Sequence, residues 1–188
     1  MSSMVENSTE GQGEQSKPFS LELQTRQEQR TVLNFLAGKI EHDEDMIMLR
    51  AYTPEGVEVY KAMKNLANQL EANISDPQAG ALSLMLTTEN EQRGLRHALV
   101  FSLVPLTEKQ VLGKLSPEAI EELQTARRLV AEITSGMGEE LILGEKLMIG
   151  LVEDVSDEDL QMAVDDPRDW RALSFFAEYF LKQRHDAE

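Results

Sequence analysis

The sequence predicts an α+β fold, in which a small antiparallel sheet is covered by helices and followed by a mainly helical C-terminal half. Three observations carry this reading. Two helix starts are written as Thr53-Pro54-Glu55 and Ser116-Pro117-Glu118, where a hydroxyl caps free amides and proline suits the first turn. Leu82, Leu84 and Leu86 alternate like a strand, and residues 98–104 are rich in Val and Phe, which favour strands. From Ser116 onward the apolar spacing is helical.

The elements follow in chain order. Residues 1–17 are rich in Ser, Glu, Gln and Gly, with only Met1, Met4 and Val5 as sizeable apolar side chains. They cannot repay the entropy of ordering. A disordered tail over residues 1–18 and a single α+β domain over 19–188 are therefore expected. Phe19, Leu21 and Leu23 alternate as a short half-buried strand. Val32, Leu33, Leu36 and Ile40 predict a first helix, ended by Gly38 and the acidic run 41–45. Residues 46–52 read as a buried strand. The helix opened by Thr53 turns Val59, Met63, Leu66, Ala67, Leu70 and Ile74 to one side. Residues 87–94 read as a hairpin-type loop, so the predicted sheet takes its strands from the segments beginning at Met46, Leu82 and Ala98.

After Ser116, the residues Ile120, Leu123, Arg127, Val130 and Ile133 share one helical face, which stops at Gly136 and Gly138. Residues 141–152 are almost wholly apolar and leave two readings open. One is a helix through Met148, Leu151, Val152 and Val155, in which Gly144 and Gly150 each cost about 1 kcal/mol. The other is a hairpin at Gly144-Glu145-Lys146. Ser156 caps a short acidic helix, and Asp166-Pro167-Arg168-Asp169 opens the last one, running to about Arg184. No repeat of 20 to 50 residues is visible.

Composition narrows function mainly by exclusion. The chain of 188 residues has no cysteine, which removes disulfides, thiolate zinc sites, iron-sulfur clusters and a cysteine nucleophile. The N-terminal segment lacks the basic start and apolar centre of a signal peptide. No window approaches the ~18 to 20 apolar residues of a membrane span. A cytoplasmic location, without membrane association, is expected. The net charge is -16, and residues 139–169 hold eleven acids against Lys146 and Arg168. Such a field repels nucleic acid, so no direct nucleic-acid partner is expected.

No catalytic motif emerges. Residues 138–146 miss the phosphate-loop pattern, because Glu145 stands where lysine is required. The run Glu41, His42, Asp43, Glu44, Asp45 offers hard ligands, but adjacent side chains diverge and a solvated loop accounts for it. Asp154 to Asp165 fails as a calcium loop, since Asp159 occupies the glycine position. His97 and His185 have no visible partner for general base work. Neither a cofactor, a metal nor catalytic residues are assigned.

Two features remain. The last helix concentrates Trp170, Phe175, Phe176, Tyr179 and Phe180. Trp170, Leu173, Ala177 and Phe180 line one face, whereas Phe176 and Tyr179 widen it onto a line that one packed neighbour need not cover. The acidic residues Asp157, Glu158 and Asp159 suit the first turn of a helix and also a basic partner. The expectation is a non-enzymatic acidic protein-interaction module, such as an adaptor, chaperone or regulator. It would bind a protein, basic in character or a second copy of itself, through Trp170, Phe176 and Tyr179, through Asp157, Glu158 and Asp159, or through both. A DNA-mimic inhibitor and a small carboxylate or metal-dependent enzyme are the alternatives.

Overall fold

Alternation at Phe19, Leu21, Leu23 and at Leu82, Leu84, Leu86 builds a two-stranded antiparallel sheet, strand β1 (Phe19–Leu23) against β2 (Leu82–Leu86). The computed structural model describes residues 17–49, 51–165 and 171–186. Each strand leads into two helices: α1 (Arg26–Met48) and α2 (Pro54–Ser75) after β1, α3 (Glu89–Val111) and α4 (Pro117–Gly136) after β2. Three more follow, α5 (Leu143–Ile149), α6 (Asp157–Asp165) and α7 (Arg171–His185). One face of the sheet, Leu21, Leu23, Leu84 and Leu86, is buried against the helices, and Ser20, Glu22, Ser83 and Met85 look outward.

The strand pairing reveals an internal two-fold. Leu21 lies opposite Leu84, and a shift of 63 residues carries Leu21 onto Leu84 itself. The same shift carries β1 and α1 onto β2 and α3 end to end, and α2 onto α4 from their shared first residue, with α4 two residues shorter. It matches Thr25 with Thr88, Glu28 with Glu91, Gln29 with Gln92, Arg30 with Arg93, Leu36 with Leu99, Pro54 with Pro117 and Leu66 with Leu129. The matched residues do matched work. Thr25 and Thr88 cap α1 and α3, while Glu28 and Glu91 reach back to the cap amides, two reciprocal capping boxes. Thr53 and Ser116 cap α2 and α4 ahead of their prolines.

The two glutamines join the units. Buried Gln29 donates to the Leu23 carbonyl of its own strand at 3.5 Å and to the Gly80 carbonyl ahead of β2 at 2.9 Å. Buried Gln92 donates to the Leu86 carbonyl at 3.2 Å and to the Lys17 carbonyl ahead of β1 at 3.0 Å. Each amide ties its own strand to the approach of the other, so neither unit satisfies its backbone alone.

Several predicted elements are corrected. Neither the Met46 segment nor the Ala98 segment is a strand; the sheet partner of β2 is β1. Helix α1 runs through Gly38 and the acidic run as far as Met48. The run survives inside a helix because Asp43 turns inward to Lys39, with 1% of its surface exposed, while Glu41, His42, Glu44 and Asp45 face water. Residues 87–94 are no loop, since the Thr88–Glu91 capping box starts α3 there, and α3 absorbs Val100, Phe101, Val104 and Pro105. Residues 141–152 resolve as the short helix α5, in which Gly144 is interior and Gly150 closes the end at φ 71°. That conformation favours glycine, and the Arg127 guanidinium occupies the space a side chain would need. The predicted tail up to residue 16, the start of the last helix and Trp170 lie outside the described residues.

The core has two parts. The larger gathers both strands and α1 to α4 around Leu36, Leu66, Leu70, Leu95, Leu99, Leu129 and Ile133. The smaller belongs to the C-terminal helices and holds Leu147, Val155, Leu160, Leu173, Phe176, Ala177 and Phe180. Helices α5 and α7 lie against α3, so this C-terminal unit covers one side of the second βαα unit.

Candidate functional site

The C-terminal unit is placed by polar anchors at its ends. Arg96 of α3 pairs with Glu145 of α5 at 2.7 Å, and Glu145 also accepts the Ile142 amide at 3.3 Å, which fixes the start of α5. Arg127 of α4 donates to the Ile149 carbonyl at 2.5 Å and to Gln110 at 2.8 Å, which fixes its end. Burial pulls the Arg127 pKa down from its ordinary value. The Asp159 amide donates to Ser156 Oγ at 3.1 Å, starting α6, and Arg184 near the end of α7 spans Asp157 and the Val152 carbonyl at 2.5 and 2.6 Å.

Helix α5 lines two openings. One is an apolar groove of about 320 Å³ between α5, α6 and the start of α7, walled by Ile142, Leu143, Leu147, Met162, Ala163 and Leu173. Ile142 and Met162 stand in it 64% and 56% exposed. The other is a polar cleft of about 670 Å³ that collects Glu139, Glu140, Glu153 and Asp154 with Lys146. Lys146 pairs with Asp154 at 2.5 Å, and this contact holds the Asp154 carboxyl below its ordinary pKa. On α6, Glu158 and Asp159 lie one turn before Met162 and Ala163, and Asp165 one turn beyond Met162, so carboxylates flank the apolar wall.

The sequence-predicted acids of α6 differ in their partners, and the sequence-predicted rings of α7 differ in their burial. Asp157 and Asp159 have structural partners, Arg184 and Ser156, whereas Glu158 is exposed with none among the described residues. Phe176 is buried at 4% because α7 is packed on two lines, and it belongs to the smaller core with Phe180. Tyr179 remains half-buried and meets Phe180 edge-on at 5.2 Å. The exposed aromatic ring of α7 is Phe175, at 42%. Sequence reasoning missed Ile142 and Met162. Their only signal is an apolar residue set beside acids, at Glu140 and Asp159.

Among the described residues no group of three or more His, Asp or Glu is placed to hold a metal ion. Likewise, no helix among them is long and apolar enough to cross a membrane. Comparison with protein-family models, with curated proteins and with solved structures finds no match, so the geometry itself carries the functional reading.

Proposed function

We propose that the chain is a non-enzymatic protein-interaction module, an adaptor, chaperone or regulator, whose C-terminal unit receives a basic amphipathic helix of a partner protein. One observation carries the reading: an apolar groove with two exposed anchors, Ile142 and Met162, lies on a segment that holds nine acids and one lysine between residues 139 and 165. An apolar stripe of the partner fits the groove and its cationic face meets Glu158 and Asp165 of α6. Exposed apolar surface rimmed by polar residues is the signature of an interaction site.

The test is fluorescence anisotropy with two synthetic Lys/Leu peptides of identical composition, one with leucine at helical spacing and one scrambled. Salt-sensitive binding of the periodic peptide alone is the expected result, weakened by about 2 kcal/mol or more in Met162→Glu. Replacing Glu158 and Asp165 by Gln and Asn slows association more than it speeds dissociation. Equal binding of both peptides, or binding indifferent to Met162→Glu, contradicts the reading.

A further inference from the structure

We propose that the first βαα unit, where it meets α3, holds a pocket for a small uncharged carboxamide-type molecule, bounded by Lys39 and Asp43 of α1, Tyr52 just before α2, Gly56 in its first turn, and His97 of α3. A cavity of about 220 Å³ lies among these residues, with Val59 and Met63 as its apolar wall. It is smaller than the roughly 300 Å³ at which drug-sized ligands begin to fit, so its occupant has few heavy atoms.

The second unit serves as the control. At the positions equivalent to Lys39, Asp43 and Tyr52 it carries Ser102, Leu106 and Leu115. The same helices therefore fold without any of the three polar groups. Asp43 is nonetheless 1% exposed and the Lys39 side chain 14%. Desolvating an ion pair commonly costs more than it returns, and apolar residues in its place are often neutral or stabilising. A cost that the twin unit avoids is better explained by binding than by architecture. Gly56 shows the same departure. The Tyr52 ring lies over it, with Cε1 2.9 Å from where a Cβ would stand, and so walls the cavity; the twin has Ala119.

The donor and acceptor pattern selects the ligand. Lys39 donates to Asp43 and contacts the Tyr52 hydroxyl at 3.2 Å, which leaves one of its three N–H groups. Its ammonium also stands 5.6 Å from the centre of the Phe101 ring, within cation–π range. Asp43 accepts from Lys39 and hydrogen-bonds Tyr52, and its two oxygens still have acceptor capacity beyond those two contacts. One ammonium and one carboxylate leave no net charge, so an ion of either sign would bring an uncompensated charge beside a largely desolvated pair. A neutral C=O beside an N–H meets Lys39 and Asp43 together. His97 stands exposed at the rim of the cavity, where desolvation and the nearby Arg96, Lys39 and Arg93 lower its pKa and so favour the neutral ring.

The experiment titrates the ¹⁵N-labelled full chain with acetamide and with 2-pyrrolidone, using acetate and methylammonium as charged controls of similar size. Saturable shifts at Gly56, Met63 and His97 with the two amides, and none with the two ions, are expected. The variant Lys39→Ser with Asp43→Leu copies the second unit; it should lose those shifts and melt at or above the parent's temperature. Tyr52→Phe keeps the ring over Gly56 and should weaken the amide response several-fold. The proposal is overturned if no saturable shift appears at these residues, if acetate or methylammonium acts as well as the amides, or if the double variant melts well below the parent, which would make the cluster a structural staple.

Discussion

The two βαα units share a backbone plan and differ in what covers them. In the first unit Glu44, Tyr60 and Lys64 form an exposed network, with Lys64 to Glu44 at 3.1 Å and Lys64 to the Tyr60 hydroxyl at 3.2 Å. The Glu44 carboxyl is held below its ordinary pKa by the Tyr60 and Lys64 contacts. The second unit has Thr107, Leu123 and Arg127 at the same places. There the C-terminal unit closes the face: Thr107 and Leu123 are 0% and 1% exposed, and Arg127 reaches Ile149. A solvated face keeps charges, and a covered one exchanges them for smaller or apolar groups plus one guanidinium with partners.

A second difference lies beside the two-fold. Gly94 lets α2 close on α3, since a Cβ there would stand 2.7 Å from Met63 Cγ and 3.3 Å from the Val59 carbonyl oxygen. The first unit has Thr31 at that place and Phe35 where the second has Ala98. These larger side chains hold α4 farther from α1, and the two meet over a shorter stretch. What the units share builds the fold, and what they do not share follows from neighbours and sites.

The comparison breaks most readily in the core. Leu66→Ala and Leu129→Ala remove equivalent, fully buried side chains, so each should cost about 2 to 5 kcal/mol by denaturant unfolding, with similar values for the pair. Next come the joining glutamines. Gln29→Ala and Gln92→Ala should each cost about 1 to 3 kcal/mol, because two strand-side carbonyls lose a donor in both cases. A loss confined to one of them would mean that the units are not equivalent partners.

The glycines sharpen the contrast between open and covered faces. Gly113 and Gly150 both have positive φ, 64° and 71°, but nothing lies near Gly113 whereas Arg127 backs onto Gly150. Gly113→Ala should cost about 1 to 2 kcal/mol of backbone strain, and Gly150→Ala distinctly more, read from the same unfolding curves.

The smallest effects are in pH dependence. His97 has a lowered pKa, so the unfolded chain binds its proton more readily. Stability from this source is complete above the ordinary value of 6.5 and declines as pH falls below it. His97→Asn, which installs the residue the first unit has at Asn34, should flatten that decline. At lower pH, Glu91 acts. Burial opposes its charge, but hydrogen bonds from Thr87 and Thr88 outweigh it and lower the pKa. Its contribution is complete above the ordinary carboxyl value of 4.5 and is lost as pH falls through the depressed one, so Glu91→Gln should shrink the acid limb of the profile.

Local chemistry was legible in the sequence where it was self-contained. The Leu alternation of both strands, the Thr53-Pro54 and Ser116-Pro117 starts and the Ser156 cap each need only their neighbours. Residues 98–104 misled because Val, Phe and an interior Pro105 argue against a helix, while the deciding signal, Thr88 with Glu91, stands ten residues earlier. The repeat was hidden by its length and by matches scattered among changed neighbours; only the Leu21–Leu84 pairing brings them into line. In the candidate site Asp157, Glu158 and Asp159 were readable as a group. Ile142 and Met162 were not, since they meet across a groove that exists only once α5 and α6 pack.

Two equivalent βαα units meet on a two-fold between Leu21 and Leu84. Backbone nuclear Overhauser contacts in solution test it directly. Cross-strand contacts between residues 19–23 and 82–86 are expected in the register that sets Leu21 opposite Leu84, with helical contacts running unbroken through residues 98–104. Contacts joining residues 82–86 to 98–104 as a hairpin, or a register slipped by one residue, would contradict it.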